Sequence, residues 1–147
     1  SNNFPDYEIF FGFDGLPGRK ENYYVETTYS YFGKNKIHYH KYSCVNEFTE
    51  FLATCKVVIT PKLHVGIVAS IFESSVFSCS INYTKTSRFF SNIGFPERCI
   101  NLDTTNSAEM INLLGKYYAS PIVIKADAVE KARCNLEFLD ILERGVS

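Results

Sequence analysis

Residues 56–81 read KVVITPKLHVGIVASIFESSVFSCSI, and this stretch decides the fold. Its first five residues, Lys56 to Thr60, form a continuous β-branched run, which predicts a strand covered on both sides, as at the centre of a parallel sheet. Thr60-Pro61 then offers a helix cap followed by proline at the first helical position. Residues 62–74 are apolar almost all round, which predicts a deeply buried helix, and Val76 to Ile81 predicts the next strand. Strand, helix and strand in this order indicate a parallel sheet.

The same alternation continues on both sides of this stretch. Before it we expect a strand at residues 7–13, a helix at 19–32 followed by Gly33, a strand at 36–42 and a helix, capped by Ser43, that runs to about Cys55. After it we expect a helix at 84–93 closed by Gly94, a strand at 98–102, a helix at 107–118 and an amphipathic terminal helix at 125–144. The pattern predicts a Rossmann-like, doubly wound α/β fold, with a mainly parallel five-stranded sheet and helices on both faces. No repeat or linker divides the chain, so residues 1–147 are predicted to form a single domain.

The composition disfavours several classes of protein. Apolar residues make up 46% and aromatic residues 16% of the 147 residues, which is typical of a chain with a real core rather than a disordered one. A formal net charge of -1 disfavours a nucleic-acid partner, because such proteins usually carry a basic surface. The longest apolar run, residues 65–71, is far shorter than the ~20 residues that span a bilayer, and no secretory signal opens the chain, so we expect a cytoplasmic protein without a membrane span. The five cysteines are odd in number and widely spaced, which favours reduced thiols over disulfides or a zinc site.

Binding residues for an anion are expected where strands end and helices begin, because free N–H groups and the positive end of each helix dipole lie there. Lys62 and His64 follow the first strand of the quoted stretch, and Lys85 and Arg88 follow the second. A cation in the first turn of a helix opposes the dipole unless an anionic ligand offsets the cost. The alternative is that the cations are ordinary surface residues and that His64 is a partly buried helix residue, satisfied by a backbone carbonyl. Spacing alone leaves both interpretations open.

Three further groups of polar residues are more typical of turns and strands than of a ligand-binding site. Residues 103–105, Asp-Thr-Thr, could bind a hydroxylated ligand, but this pattern is typical of turns and caps. Residues 14–18, DGLPG, lack the G-x-G-x-x-G spacing that lets a backbone approach a pyrophosphate. His38 and His40 share one face of a strand, with Cys44 beyond them, but no fourth ligand follows at a zinc spacing, so no metal is expected.

Residues 56–94 resemble the C-terminal half of the polysaccharide pyruvyl transferase family. The family pattern is an apolar strand, Arg-Leu-His, a buried helix, a second strand and a Tyr/Asp-rich turn that ends in lysine. Lys62-Leu63-His64 stands at the Arg-Leu-His, whereas Asn82-Tyr83 and Lys85 stand at the turn. The resemblance implies a domain similar to those of two-domain, B-type glycosyltransferases, with an N-terminal domain elsewhere in the protein.

Enzymes of this family transfer the enolpyruvyl unit of phosphoenolpyruvate to a sugar of a surface polysaccharide, as a ketal. The resemblance therefore implies that Lys62 and His64 hold the phosphate and carboxylate of the donor, with His64 also the catalytic proton donor. The other expected donor-binding residues are Leu63, Asn82, Tyr83, Lys85 and Arg88. The implied partners are the anionic donor and a sugar acceptor, no cofactor is implied beyond the donor substrate, and the domain alone is expected to turn over little or no substrate.

Two other functions remain open at this point. The nucleotide-sugar-binding half of a B-type glycosyltransferase would use the same cleft for a uridine or guanosine diphosphate sugar. A non-catalytic interaction domain would keep the fold and lose the chemistry. Lys62 in place of arginine slightly favours the interaction domain, whereas Leu63-His64 and Lys85 argue against it. Donor binding distinguishes the three.

Overall fold

The computed structural model describes residues 8–13, 37–79 and 83–130, together with Glu26, Ser30 and Arg133. Strands and helices alternate along these residues, which confirms the predicted α/β class. In chain order the elements are β1 (Ile9–Phe13), β2 (Ile37–Lys41), α1 (Val45–Thr54), β3 (Val57–Thr60), α2 (Leu63–Ile71), β4 (Ser75–Ser78), α3 (Tyr83–Asn92), a 3-10 turn (Pro96–Arg98) and α4 (Ser107–Tyr117). None of the helices in the described ranges is long and apolar enough to cross a membrane.

The strands of the described residues form two separate two-stranded parallel sheets instead of the predicted five-stranded sheet. β1 pairs with β2 from Ile9↔Ile37 to Phe13↔Lys41, and β3 pairs with β4 from Val57↔Ser75 to Thr60↔Ser78. The chain divides into two compact units, Ser1–Glu50 and Phe51–Ser147, and each contains one of the sheets. That residues 1–147 act as one domain stays a prediction.

Aromatic contacts accompany the sheet of the first unit. Phe10 and His38 are partners in the β1–β2 register, and their ring centroids lie 5.0 Å apart. The ring of Phe48, in α1, lies 6.1 Å from the ring of His40 and 5.7 Å from the ring of Tyr42. These contacts join β2 to the helix that follows it.

The helix that follows β2 begins one residue later than predicted. α1 begins at Val45, so Cys44 rather than the predicted Ser43 occupies the cap position, and its carbonyl accepts a hydrogen bond from the Phe48 N–H. The Ser43 hydroxyl instead donates to the side chain of Glu47. The helix predicted at 19–32 lies outside the described residues, apart from Glu26 and Ser30, which are helical.

α2 and α3 pack against the same face of the β3–β4 sheet. A Cβ placed on Gly66, in α2, would lie 3.5 Å from Val76 Cγ1, 3.6 Å from Phe90 Cζ and 3.7 Å from Thr60 Cγ2. These three neighbours come from β4, α3 and β3 respectively. Val76 and Phe90 are completely buried, so the core of the second unit lies at this crossing.

Burial corrects two predictions made from apolar composition. β3 is not covered on both sides, because Ile59 is 55% exposed. α2 is not buried all round, because burial in it is confined to Gly66, Ala69 and Ser70, and Ile71 is 63% exposed. Side chains alternate between the two faces of a strand. Val58 and Thr60 therefore point to the face that α2 covers and are buried, whereas Ile59 points to the other face.

The predicted strand at 98–102 is wrong apart from one bridge. Pro96 opens the 3-10 turn, which brings Arg98 into the interior, where it is 1% exposed. Cys99 then forms a single parallel bridge with Ser78, and the Ile100 N–H donates to the Ser78 carbonyl at 2.8 Å. The following residues leave the sheet in a turn, so the ladder extends no further.

The helix ends in the second unit follow local sequence signals. Gly94, with φ of +89°, closes α3: its N–H donates to the Ser91 carbonyl at 3.1 Å, and the Phe95 N–H donates to the Phe90 carbonyl at 2.8 Å. This is the hydrogen-bond pattern of a Schellman cap, which favours glycine.

Two helices are predicted near the C-terminal end, at residues 107–118 and 125–144. The structure describes the first completely and the second only in part. α4 begins with a reciprocal capping box between Asn106 and Glu109, and it ends at Tyr117, which confirms the helix predicted at 107–118. The predicted terminal helix is confirmed at residues 126–130 and at Arg133. The rest of that prediction, to residue 144, lies outside the described residues.

Candidate functional site

The carboxyl ends of β3 and β4 lie side by side. Thr60 and Ser78 are partners in the parallel register, and the Cys79 N–H donates to the Thr60 carbonyl at 3.0 Å. α2 follows β3 after two residues, and α3 follows β4 after four. Both helices therefore begin at one edge of this sheet, which is where parallel α/β sheets bind their ligands.

The start of α2 differs from the prediction by two residues. Thr60 is still the last residue of β3, and its Oγ1 accepts a hydrogen bond from the Lys62 N–H at 3.1 Å. The hydroxyl thus stabilises the turn out of the strand instead of capping the helix, and Pro61 precedes the helix. Lys62 is the N-cap, with φ of -101° and ψ of 117°, and its side chain makes no cap hydrogen bond. The first N–H groups of α2 receive no side-chain cap from this position.

Lys62, Leu63 and His64 lie at the N-cap and the first two positions of α2. The side chains of Lys62 and His64 are exposed, whereas Leu63 is half-buried. The exposure of His64 does not fit its being a partly buried helix residue, whereas the exposure of Lys62 fits both an anion site and an ordinary surface cation. An ammonium group and an imidazole at the positive end of a helix provide hydrogen-bond donors for an anion.

Tyr83 and Lys85 lie in the first turn of α3, at the same edge of the sheet. Tyr83 is 39% exposed, and Lys85 and Arg88 are exposed as well. Arg88 is five residues inside the helix, about 7.5 Å along its axis from the first position, so it is farther from the edge. Asn82 lies outside the described residues. The structure therefore brings the starts of both helices to one edge, with Lys62, His64 and Lys85 at them.

Sequence reasoning missed Ser78 and Thr86. Ser78 is the last residue of β4 and is completely buried, and Thr86, in the second turn of α3, is 1% exposed. Neither hydroxyl oxygen has a hydrogen-bond partner within the part of the chain that the structure describes. No local pattern distinguishes these hydroxyls from those of exposed serines and threonines.

The remaining polar groups have structural roles. In the turn after the Cys99 bridge, the Asn101 side chain accepts from the Asp103 N–H at 3.0 Å, and the Asn101 carbonyl accepts from the N–H groups of Thr104 and Thr105. Residues 103–105 thus form the turn that their sequence predicts. Residues 14–18 lie outside the described residues.

A metal centre and an open groove were the alternatives to the β3–β4 edge considered among the described residues. They contain no group of three or more histidine, cysteine or acidic side chains arranged to hold a metal ion. An open groove of about 360 Å³ follows α4, lined by Thr105, Glu109, Asn112, Leu113 and Lys116. None of the predicted donor-binding residues lines this groove, which is mostly apolar and whose two charged lining residues, Glu109 and Lys116, are of opposite sign.

Comparisons with protein-family models, with curated proteins and with solved structures find no match to this chain. Its function therefore has to be argued from the geometry of the β3–β4 edge and from the chemistry of the residues there.

Proposed function

We propose that this chain is the donor-binding domain of a polysaccharide pyruvyl transferase, which binds phosphoenolpyruvate at the carboxyl edge of β3 and β4. The observation that carries the proposal is the start of α2, where Lys62 and His64 are exposed at the end of a parallel strand. The proposal includes an N-terminal domain that completes the cleft, and action in the cytoplasm.

The charges at this edge suit a small, multiply charged anion. Phosphoenolpyruvate carries a phosphate and a carboxylate within a few bonds of each other, and an uncapped helix start accepts either group. Lys62 supplies a compact positive charge at the N-cap of α2, and Lys85 supplies another at the start of α3. A lysine binds as a point charge without the bidentate fork of an arginine, so in this chain the backbone N–H groups carry more of the orientation.

Transfer of the enolpyruvyl unit requires a proton donor, and this is the role proposed for His64. Two sugar hydroxyl oxygens bond to C2 of the donor, the methylene carbon gains a proton to become a methyl group, and the C2–O bond to phosphate breaks. One hydroxyl proton is retained in the methyl group, and the other leaves with inorganic phosphate. We assign the role of proton donor to the His64 imidazole, which is exposed at the second position of α2.

The proposal is tested by titrating the chain with phosphoenolpyruvate, followed by heat or by chemical shifts, with a uridine diphosphate sugar in parallel. We expect saturable binding of phosphoenolpyruvate that weakens by about tenfold or more in Lys62→Ala and in His64→Ala, the size expected for a charged hydrogen bond. Both side chains are exposed, so the melting temperature should change little.

Lys56→Ala is the matched control. Lys56 is also an exposed lysine, but it precedes β3, at the opposite end of the strand from Lys62. This variant should bind phosphoenolpyruvate as the unchanged chain does. Binding of the nucleotide sugar alone would contradict the proposal in favour of the glycosyltransferase function, and binding of neither ligand would favour a non-catalytic domain.

A further inference from the structure

One face of α4 lines the open groove of about 360 Å³. The helix lies wholly within the described residues, and none of its residues is buried. Its four lining residues follow each other at i, i+3, i+4 and i+7, and they are Glu109, Asn112, Leu113 and Lys116. Residues at this spacing share one face of a helix. The groove is therefore a single, accessible surface of α4.

The two charged groups of this face stand at its opposite ends. Glu109, in the first turn, and Lys116, in the last, are seven residues apart, about 10.5 Å along the helix axis. Oε2 of Glu109 accepts a hydrogen bond from the Asn106 N–H at 3.1 Å, and this bond fixes the carboxylate at the start of the helix. The Lys116 ammonium lies 4.8 Å from the ring centroid of Tyr117. An ammonium has three donors, so it can bind a carboxylate as well.

The order of the four residues is self-complementary. When two identical surfaces meet about a two-fold axis, residue i of one copy faces residue j of the other, and j faces i. With two α4 helices antiparallel and the axis between Asn112 and Leu113, Glu109 of each copy faces Lys116 of the other, and Asn112 faces Leu113. A parallel arrangement would instead oppose like charges. A single axis thus matches every helix residue that lines the groove.

We propose that the α4 groove is the interface of a symmetric dimer, in which a second copy of this chain packs its own α4 antiparallel against the first. The Leu113 side chains supply the apolar contact near the axis, and the two Glu109–Lys116 pairs fix the direction of the helices. One eleven-residue helix from each copy is smaller than a standard interface of about 1,600 Å², so we expect a Kd of about 10 µM to 1 mM. None of the predicted donor-binding residues lines the groove, so the dimer does not depend on the proposed function.

The test is sedimentation equilibrium of the chain at concentrations up to about 1 mM in low salt. The unchanged chain should form dimers and no larger oligomers, because a two-fold interface is closed. Glu109→Lys and Lys116→Glu each oppose like charges in both pairs, and each should weaken the dimer by about tenfold or more. Circular dichroism shows whether the variants remain folded, since both substitutions oppose the dipole of α4.

Mixing Glu109→Lys with Lys116→Glu separates the interface from any loss of helix stability. In a mixed dimer one variant presents two cations at the groove and the other presents two anions, so both pairs become attractive again. The mixture should associate at least as tightly as the unchanged chain, although neither variant does so alone. A folded mixture that stays monomeric would overturn the proposal.

Ile111→Asp is the control, and Leu113→Asp is its counterpart within the groove. Ile111 is a 50% exposed apolar residue of the same helix that does not line the groove. Ile111→Asp should leave the dimer unchanged, whereas Leu113→Asp should abolish it. An unchanged chain that is monomeric at every concentration would overturn the proposal. A dimer that persists in both charge variants, or that is lost in Ile111→Asp alone, would place the contact elsewhere and would overturn it as well.

Discussion

Cys99 illustrates how burial sets the chemistry of a single side chain. It is 8% exposed at its bridge to Ser78, and burial, with a smaller contribution from nearby Cys79, raises the pKa of its thiol from 9.0 to about 11. Burial also raises the pKa values of Cys55 and Cys79. Cys44 is exposed, and all four described cysteines are free thiols. The thiolate is the reactive form of cysteine. The burial of Cys99 and the raised pKa of its thiol therefore both keep it unreactive at neutral pH.

Alkylation should reflect this difference. Treating the folded chain with iodoacetamide at about pH 8 should modify Cys44 at least ~10 times faster than Cys99, since a thiol with a raised pKa has little thiolate at that pH. Mass spectrometry of the digested chain measures both rates. In denaturant the two rates should become similar, and equal rates in the folded chain would contradict the burial of Cys99.

At the scale of a helix, three glycines of the second unit differ in what an added side chain would meet. In α2, a Cβ on Gly66 would meet its neighbours at 3.5 Å or more, which is ordinary van der Waals contact. In α4, a Cβ on Gly115 would meet nothing within 4 Å. Gly94 differs from both, because its φ of +89° lies in the left-handed region that side chains rarely adopt. Helix propensity alone favours alanine at the first two positions and disfavours it at the third.

Three substitutions measured by denaturant unfolding test this reasoning. Gly66→Ala should raise the free energy of unfolding by about 0.5–1 kcal/mol. Alanine loses less backbone entropy than glycine in a helix, and its Cβ would lie at van der Waals distance from its neighbours. Gly115→Ala is the control for propensity without packing, and it should give a gain of similar size. Gly94→Ala should lower the free energy of unfolding by about 1 kcal/mol. A loss in Gly66→Ala would mean that α2 packs more tightly on Phe90 than the structure indicates.

At the scale of the whole second unit, Arg98 joins segments that are far apart in sequence. One guanidinium nitrogen donates to Ser75 Oγ at 3.0 Å and to the Tyr117 carbonyl at 3.2 Å, and the other donates to the Ser120 carbonyl at 2.7 Å. The guanidinium carbon also lies 5.2 Å from the ring centroid of Phe77 and 4.5 Å from that of Tyr117. A cation is favourable at the C-terminus of α4, where the helix dipole is negative. Burial lowers the pKa of Arg98, but an arginine keeps its charge at neutral pH.

Arg98→Lys should therefore destabilise the chain although it keeps the positive charge. A lysine cannot form the forked set of hydrogen bonds to Ser75, Tyr117 and Ser120, so a buried positive charge keeps fewer partners. We expect the free energy of unfolding to fall by about 2–4 kcal/mol. Arg88→Lys is the matched control: Arg88 is exposed, and its replacement should change the free energy of unfolding by less than ~0.5 kcal/mol. Equal effects of the two changes on thermal or denaturant unfolding would contradict a structural role for Arg98.

The residues whose structure could be predicted from sequence are those governed by near neighbours. The β-branched run that ends at Thr60, the glycine that closes α3 and the helix signals of residues 107–118 each predict their element correctly, because helix propensity, capping and strand preference depend on a few adjacent residues. The expected position of Lys62 and His64 at a strand-to-helix junction follows from the same local signals. The two-residue shift in the start of α2 arises from the Thr60 hydroxyl, which bonds to the Lys62 N–H in the turn.

Other features were decided only by the tertiary structure, because they depend on segments that are distant in sequence. Residues 98–102 have strand-like composition, yet Arg98 turns inward to reach Ser75, Tyr117 and Ser120, and only the Cys99 bridge remains of the strand. Ile59 is apolar and exposed, whereas Ser78 and Thr86 are polar and buried. Burial is a property of which surfaces meet, and local sequence alone cannot specify that. The sequence by itself determined, to within two residues, where β3 ends and α2 begins, because that depends on near neighbours. The packing of α2 and α3 on β4 determined which side chains are buried at that junction.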